Sequence, residues 1–386
     1  MHDSKNFADL GISDKLLHAL EEANFLEPTP IQTLAIPKIL IGHDLLASAQ
    51  TGTGKTASFT LPMIDILNEG TAKARMPRSV VLEPTRELAV QVSEQFDLLG
   101  TKHSLTHALL IGGVSYADQE KSIARGADVL IATPGRLQDH ISRGKILLND
   151  IKFLVLDEAD RMLDMGFWPD VERLLSIMPK TKQTVLFSAT LPKPIRDLAN
   201  KFMHNPKEVF ADPVSSTAAT ISQFLCRTTP RAKYEQCTKL LKDFPANRTL
   251  IFCNRKRDVG SLNERLQKSG FCANSLHGDM AQPDRLRCLQ AFRDNEFPIL
   301  VCSDVAARGL DIAAVELVIN YDLPTKAEDY IHRIGRTGRN RQQGIAICIV
   351  TSSQDTELQA IEALIKQEIS PYTLRSDDIH KQVAQP

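Results

Sequence analysis

The sequence predicts an α/β protein of two tandem domains, each a mostly parallel sheet covered by helices. Three observations carry that expectation. Short apolar runs of strand length alternate with longer amphipathic stretches along the whole chain, as they do where crossover helices join parallel strands. The 386 residues exceed what one hydrophobic core usually supports, which suggests two domains. Between the halves, the run 211–220 is small, polar and weakly patterned, as a linker would be. The expected boundaries are 1–212, a linker at 213–220, 221–370, and a short polar tail at 371–386 to which no fold is assigned.

Taken in order, strand-like runs lie near Leu45 and at Val80–Leu82, Val129–Ile131, Phe153–Leu156 and Val185–Phe187 in the first half. In the second they lie at Leu250–Phe252, Ile299–Cys302, Val315–Asn320 and Ile345–Val350. A distinctive cluster follows each first-half run: Ala49 to Thr56, Pro84-Thr85-Arg86-Glu87-Leu88, Thr133-Pro134-Gly135-Arg136, Asp157-Glu158-Ala159-Asp160 and Ser188-Ala189-Thr190. Open α/β sheets bind ligands at the carboxyl ends of their strands, so these clusters mark a working rim. Asn254-Arg255-Lys256-Arg257 and Ser303-Asp304 through Asp311 repeat the arrangement in the second half. Two rims that both carry chemistry suggest a site between two domains.

Hydrophobic residues make up 42% of the chain and charged residues 24%, which is ordinary for a soluble globular protein and leaves no membrane-spanning run. Lys and Arg total 46 against 47 Asp and Glu, so nucleic-acid binding would have to come from local groups rather than a global basic field. The first residues lack the pattern of a secretory signal. All seven cysteines lie in the second half with no C-x-x-C pair, which argues against a zinc site and a disulfide framework and for a reducing cytoplasm. Cys253, Cys302 and Cys348 fall in apolar runs and read as buried small hydrophobes.

Ala49-Gln50-Thr51-Gly52-Thr53-Gly54-Lys55-Thr56 reads as a phosphate-binding loop. Gly52 and Gly54 let backbone N–H groups turn onto phosphate oxygens, Lys55 supplies a charge for the β- and γ-phosphates, and Thr56 a hydroxyl for Mg²⁺. An apolar strand before it and a helix after it place it at a helix N-terminus, where the helix dipole favours anions. Asp157 and Glu158, at the end of another strand, suit Mg²⁺ binding and activation of the attacking water.

Thr29-Pro30-Ile31-Gln32 has two readings. Thr29 as N-cap, Pro30 at the first helical position and Gln32 at the third form a capping box, which spacing alone favours. The Gln32 amide can instead pair bidentately with an adenine edge. His332, Arg333, Arg336 and Arg339 follow a helix start marked by Thr325 and Glu328 as a further capping box. Gly335 and Gly338 would each cost about 1 kcal/mol inside a helix, so the helix should end there and the arginines project from a tight segment. Arginines facing a phosphate loop would stabilise a transferring γ-phosphoryl group, worth up to roughly 10³ to 10⁵ in rate.

Together these segments resemble the DEAD-box RNA helicases, compact bacterial type, over roughly residues 7–350, with Asp157-Glu158-Ala159-Asp160 as the literal signature. The resemblance implies two RecA-like domains that close on ATP and RNA. By it, Phe25 and Gln32 read adenine within a segment at about 5–33, with Phe7 as the isolated upstream aromatic, so that Gln32 takes this role with or without the cap. Ala49 to Thr56, Asp157 and Glu158 match the ATPase centre, and Ser188 to Thr190 the segment coupling hydrolysis to unwinding. Pro84 to Glu87, Gly112-Gly113 and Thr133 to Arg136 match RNA-backbone contacts. In the second half Phe252, Gln282 with Arg285, and Ser303 resemble further RNA-side positions. Gly309 and Asp311 resemble ATP-side contacts, Arg336 and Arg339 arginine fingers, and His332 a bridge between the two sites. Asn24 stands where the family usually has glycine and Ser303 where threonine is common, which keeps the hydroxyl.

The implied activity is RNA-stimulated hydrolysis of ATP, with Mg²⁺, that unwinds short RNA duplexes or remodels RNA–protein complexes. An ATP-gated RNA clamp and a DNA-directed translocase are the alternatives. A cytoplasmic monomer that binds single strands and short duplexes is expected, with ribosome-assembly or RNA-degradation proteins as candidate partners that the sequence does not identify.

Overall fold

Each half of the chain carries a seven-stranded, all-parallel sheet among the described residues. The computed structural model describes residues 6–49, 53–211, 221–304, 315–338 and 343–372. By its contacts the chain divides into two units, Met1–Asp212 and Pro213–Pro386. The expected linker and nearly all of the expected tail lie outside the described residues.

In the first unit the strands are β1 (Leu45–Ser48), β2 (Ser79–Leu82), β3 (His107–Leu110), β4 (Val129–Ala132), β5 (Phe153–Leu156), β6 (Gln183–Ser188) and β7 (Lys207–Phe210). Their order is β3-β4-β2-β5-β6-β1-β7. The helices are α1 (Asp14–Glu22), α2 (Pro30–Leu40), α3 (Lys55–Leu67), α4 (Arg86–Leu99), α5 (Tyr116–Arg125), α6 (Pro134–Ser142), α7 (Ala159–Asp164), α8 (Trp168–Ile177) and α9 (Lys193–Phe202). Alternate residues of each central strand enter opposite cores. Val81, Val155, Val185 and Phe187 pack with Ile31, Phe59 and Phe96 from one layer of helices, while Leu82, Leu154, Leu156 and Leu186 pack with Leu137, Leu174 and Leu198 from the other. Burial on both faces is why these strands read as unbroken apolar runs. The strands β4, β2, β5, β6 and β1 are consecutive neighbours, so five sequence clusters sit side by side on one rim.

The second unit repeats the plan with β8 (Ile221–Arg227), β9 (Thr249–Phe252), β10 (Ala273–Leu276), β11 (Ile299–Cys302), β12 (Leu317–Asn320), β13 (Gly344–Val350) and β14 (Ser370–Pro371), ordered β10-β11-β9-β12-β13-β8-β14. Helices α10 (Lys233–Asp243), α11 (Lys256–Lys268) and α12 (Gln282–Arg293) precede two further helices, Ala327–Ile334 and Asp355–Ile365. Cys253, Cys302 and Cys348 are fully buried, and burial pushes the Cys348 thiol up to about 12. All seven cysteines are free thiols. No helix among the described residues is long and apolar enough to cross a membrane.

Three expectations need correction. The helix Ala327–Ile334 is N-capped by Lys326 with no side-chain cap, so Thr325 and Glu328 do not form a box there. The strand expected from Val315 begins at Leu317. The tail is not featureless at its start: Ser370–Pro371 pairs with Phe224 and Leu225, and the Tyr372 ring lies 5.7 Å from that of Phe244.

Candidate functional site

The phosphate loop is described from Thr53 onward; Gln50, Thr51 and Gly52 lie outside the described residues. Ala49 is held at the end of β1 by its N–H, which donates to Ser188 O at 3.0 Å. Gly54 is the N-cap of α3 with φ 90°, and a Cβ there would stand 2.6 Å from Gln32 Nε2. Glycine is therefore required both by conformation and by close approach. Gln32 Nε2 donates to Gly54 O at 3.2 Å, while Gln32 Oε1 accepts the Thr29 N–H at 2.8 Å. The glutamine half of the capping box is thus real, and the same amide ties α2 to the loop. Phe25 is half-buried and packs against the core that includes Phe7.

Lys55 opens α3 with its ammonium 3.8 Å from Asp157 Oδ1 and 3.8 Å from Glu158 Oε1. The ammonium is buried without a hydrogen-bond partner. Burial alone would lower its pKa, but Asp157, Glu158 and Asp160 together outweigh that and raise it. A buried, unbonded donor costs free energy unless an acceptor arrives, and a phosphate oxygen fits that requirement. Thr56, next on α3, is half-buried. Asp157 Oδ1 accepts the Glu158 N–H at 2.8 Å, and burial raises its carboxyl to about 6 against the pull of Lys55. Glu158 adopts φ 48°, a left-handed conformation that costs a side-chain-bearing residue roughly 1–2 kcal/mol and aims its carboxylate toward Lys55 and Arg161.

Asp160 links this acidic turn to the segment after β6. Its Oδ2 accepts from Thr190 N at 3.0 Å and Thr190 Oγ1 at 3.1 Å, while Ser188 Oγ accepts the Asp160 N–H at 3.2 Å and donates to Thr190 O at 2.6 Å. Ser48 Oγ adds a 3.4 Å bond to Ala189 O. Ser188-Ala189-Thr190 is therefore bonded to both the phosphate-loop strand and the acidic turn.

Two buried groups here were missed in the sequence. Arg161, 3% exposed, places Nε 2.8 Å from Glu158 Oε2. Glu83 follows β2 fully buried, with neither carboxylate oxygen hydrogen-bonded. Burial first, then the charges of Asp157 and Glu158, push its carboxyl well above the usual range. The signal was present: an acid directly after Val80-Val81-Leu82 is the pattern that singled out Asp157. A carboxyl whose pKa is higher folded than unfolded stabilises the fold at low pH, and that contribution is lost as pH rises through the folded value. The melting temperature of the nucleotide-free chain should accordingly fall as pH rises above the ordinary carboxyl value of 4.5, and Glu83→Gln, which keeps the neutral shape, should flatten the decline. Melting curves between about pH 5 and pH 9 test this, and an equally steep decline in the variant would rule Glu83 out as the cause.

Farther along the rim, Pro84 is buried and Thr85 caps α4, accepting the Leu88 N–H at 3.3 Å. A Cβ on Gly112 would stand 2.9 Å from an Arg86 guanidinium nitrogen, so that glycine admits the arginine. Gly113 is exposed at φ 78°. Thr133 and Pro134 open α6, and Gly135 and Arg136 follow within it.

In the second unit, Arg333 is 1% exposed and internal rather than projecting. It donates to both oxygens of Asp304 at 2.6 Å, to Asn254 Oδ1 at 2.8 Å, to Asn320 Oδ1 at 3.1 Å and to Asp322 O at 2.5 Å. It thereby pins the carboxyl ends of β9, β11 and β12 together, beside Ser303. Arg336 is also buried, at 2% exposure, which excludes a solvated basic face for these two arginines. His332 is half-buried, and Gln282 and Arg285 are buried at the start of α12. Phe252 needs correction as an RNA-side side chain: its ring is 2% exposed in the sheet core, 5.1 Å beneath Arg333. Gly309, Asp311 and Arg339 lie outside the described residues.

The DEAD/DEAH box helicase family model matches residues 29–198, and the helicase conserved C-terminal domain matches residues 232–341. The chain is 42% identical over 364 residues to a DEAD-box ATP-dependent RNA helicase, CshA, of Bacillus cereus, covering 94% of this chain and 69% of that protein. It is 42% identical over 378 residues to the ATP-dependent RNA helicase DeaD of Mycobacterium tuberculosis, covering 97% of this chain and 66% of the relative. Among solved structures, S. cerevisiae Dbp5 bound to RNA and ADP BeF3 is similar at 32% identity and a TM-score of 0.87, over 99% of this chain and 100% of that one.

Proposed function

Because the chain belongs to the DEAD-box family of ATP-dependent RNA helicases, we infer that the cluster around Lys55 is its ATP-hydrolysing centre and that the neighbouring strand ends hold RNA. The protein is an ATP-dependent RNA helicase with two tandem RecA-like domains and RNA-stimulated ATP hydrolysis. The observation that carries the assignment of the centre is the Lys55 ammonium, buried and without a hydrogen bond between two carboxylates.

In this reading Gly54 and Lys55 take the β- and γ-phosphates. Glu158 orients the attacking water and accepts its proton, while Arg161 fixes the Glu158 carboxylate. Thr56 and Asp157 would hold Mg²⁺, which when bound supplies positive charge to the phosphates. The Asp157 carboxyl suits a cation, since burial alone disfavours its ionisation and Lys55 offsets this only in part. Asp160 carries rearrangement of the acidic turn to Ser188, Ala189 and Thr190. Pro84, Thr85, Arg86, Gly113, Thr133, Pro134, Gly135, Arg136, Arg285 and Ser303 make the RNA face. Phe252 contributes through packing, Arg336 and Arg339 supply charge to the γ-phosphoryl group, and His332 couples the two ligands. The roles of Gln50, Thr51, Gly52, Gly309, Asp311 and Arg339 rest on family membership. We place the protein in the cytoplasm as a monomer acting on single strands and short duplexes.

The test is steady-state ATP hydrolysis with and without single-stranded RNA and Mg²⁺, joined to strand displacement with ATP and with a non-hydrolysable analogue. RNA- and Mg²⁺-dependent turnover is expected; displacement of DNA duplexes in preference to RNA would overturn the substrate class.

Gln32 yields a separate expectation. Its cap bond and its bond to Gly54 O leave one N–H and further acceptor capacity on the amide, enough to read adenine. Gln32→Ala should weaken ATP by about tenfold or more and GTP much less, because base discrimination by such a pair is worth roughly 1–3 kcal/mol. Equal losses for both nucleotides, tracking a lower melting temperature, would reduce Gln32 to a structural tie.

A further inference from the structure

The two arginines that flank Tyr116 are not equivalent. Arg136 is 8% exposed, and its guanidinium is committed: Nε donates to Gln119 Oε1 at 3.2 Å and a terminal nitrogen donates to Val114 O. Its guanidinium carbon lies 3.4 Å from the Tyr116 ring centroid. Arg143, the C-cap of α6, lies 3.8 Å from the same centroid. Two guanidinium groups that close to one ring must occupy opposite faces. The ring itself is fixed, since Tyr116 OH donates to Asp139 Oδ2 at 2.9 Å. Arg143 is exposed, and among the described residues its guanidinium makes no hydrogen bond or ion pair.

A plain helix-end arginine, favoured by the helix dipole and otherwise solvated, would explain the position of Arg143 but not its stacking. Stacking holds the guanidinium plane still while leaving its N–H edge open, the arrangement in which arginine binds phosphate bidentately. It also sets two like charges about 7 Å apart across a neutral ring, a repulsion that an arriving anion would relieve. The segment is contiguous with Gly113, which is exposed one residue before the carbonyl that Arg136 holds.

Resting on the RNA-binding reading above, we propose that Arg143 is the α6 side chain that binds a phosphate of single-stranded RNA, with Tyr116 and Arg136 as positioning residues. Arg136, the arginine within the recognisable motif, takes its part in the RNA face indirectly, by shaping the 112–116 loop from inside.

The experiment is fluorescence anisotropy of a short labelled oligouridine with the full chain and a non-hydrolysable ATP analogue, titrated across salt concentrations. Arg143→Ala is expected to weaken binding on the order of fivefold at about 0.1 M salt and to make the slope of log affinity against log salt shallower by about 0.7, one phosphate contact on a single strand. Its melting temperature should stay at the wild-type value because the side chain is exposed. Tyr116→Phe keeps the ring between the two arginines but loses its tie to Asp139, so it should lose less affinity than Tyr116→Leu, which removes the stack. An Arg143→Ala variant with wild-type affinity and slope overturns the proposal. So does a slope change confined to Arg136→Ala, which would return the contact to the motif arginine. Failure of the wild-type chain to bind the oligomer while it still binds ATP would instead strike the RNA-binding reading itself.

Discussion

Glu158→Gln should reduce RNA-stimulated ATP turnover by at least about 10²-fold while leaving ATP and RNA binding largely intact. The amide keeps the size of the carboxylate, so the left-handed turn at φ 48° and the packing of the Arg161 stem need not change. On the proposed reading, what is lost is the acceptor for the proton of the attacking water. Lys55→Ala should behave oppositely, losing ATP affinity first, because it removes the buried cation meant for the phosphates. It also leaves Asp157, Glu158 and Asp160 without the charge that offsets them, so nucleotide-free stability should fall as well. Isotherms for ATP, single-turnover rates and melting curves separate the two variants. If Glu158→Gln lost ATP affinity as Lys55→Ala does, Glu158 would be part of the binding site rather than the hydrolytic group.

The residues visible in the sequence were those whose local context is unusual. Acids, glycines and prolines at the ends of apolar runs stand out because a central strand tolerates none of them, and β4, β2, β5 and β1 each announced their carboxyl end in that way, while β6 did so only through the small polar run Ser188-Ala189-Thr190. Edge strands gave no such signal. His107–Leu110, Ala273–Leu276 and Lys207–Phe210 are four residues each, and each pairs with a single neighbour and needs only half the apolar content of a central strand. Tertiary partnership was likewise hidden. Asp160 was legible as part of a signature but not as the acceptor for Thr190, since thirty residues separate them. Arg333 looked like its neighbours in a basic run, yet it is the one that four strand-end groups consume. Capping chemistry was half-readable: Gln32 caps as its spacing suggested, whereas Thr325 and Glu328 have the same spacing and do not, because that helix starts one residue later than a box would need.

The first unit by itself is short of positive charge where hydrolysis would need it. The groups acting on Lys55 are Asp157, Glu158, Asp160 and Arg161, three acids against one further cation, and that cation already faces Glu158. Glu83 is buried within reach of the same charges. Such a site can bind ATP through Lys55, the loop amides and a bound metal, but it offers little to the charge that develops on the transferring phosphoryl group. On the proposed reading the missing charge comes from outside this cluster, and Arg336 and Arg339 are the candidates that family membership supplies. Arg336 is buried and its carbonyl accepts the Val315 N–H at 3.1 Å, so its replacement risks the fold of the second unit. Arg339→Ala is therefore the informative change. It should lose most RNA-stimulated turnover, about 10³-fold if it acts as arginine fingers do, while ATP affinity stays near wild type. A chain ending near Pro213 retains both cores of the first sheet and should bind ATP, yet hydrolyse it no faster when RNA is added. Linkage adds a constraint that kinetics alone does not: whatever factor RNA contributes to ATP affinity in the intact chain, ATP must contribute to RNA affinity. Steady-state hydrolysis with and without single-stranded RNA, run beside equilibrium titrations of each ligand in the presence of the other, checks both statements. Full RNA stimulation in Arg339→Ala or in the shortened chain would mean that the first unit finds its own charge for the transition state, and the search would move to Arg161.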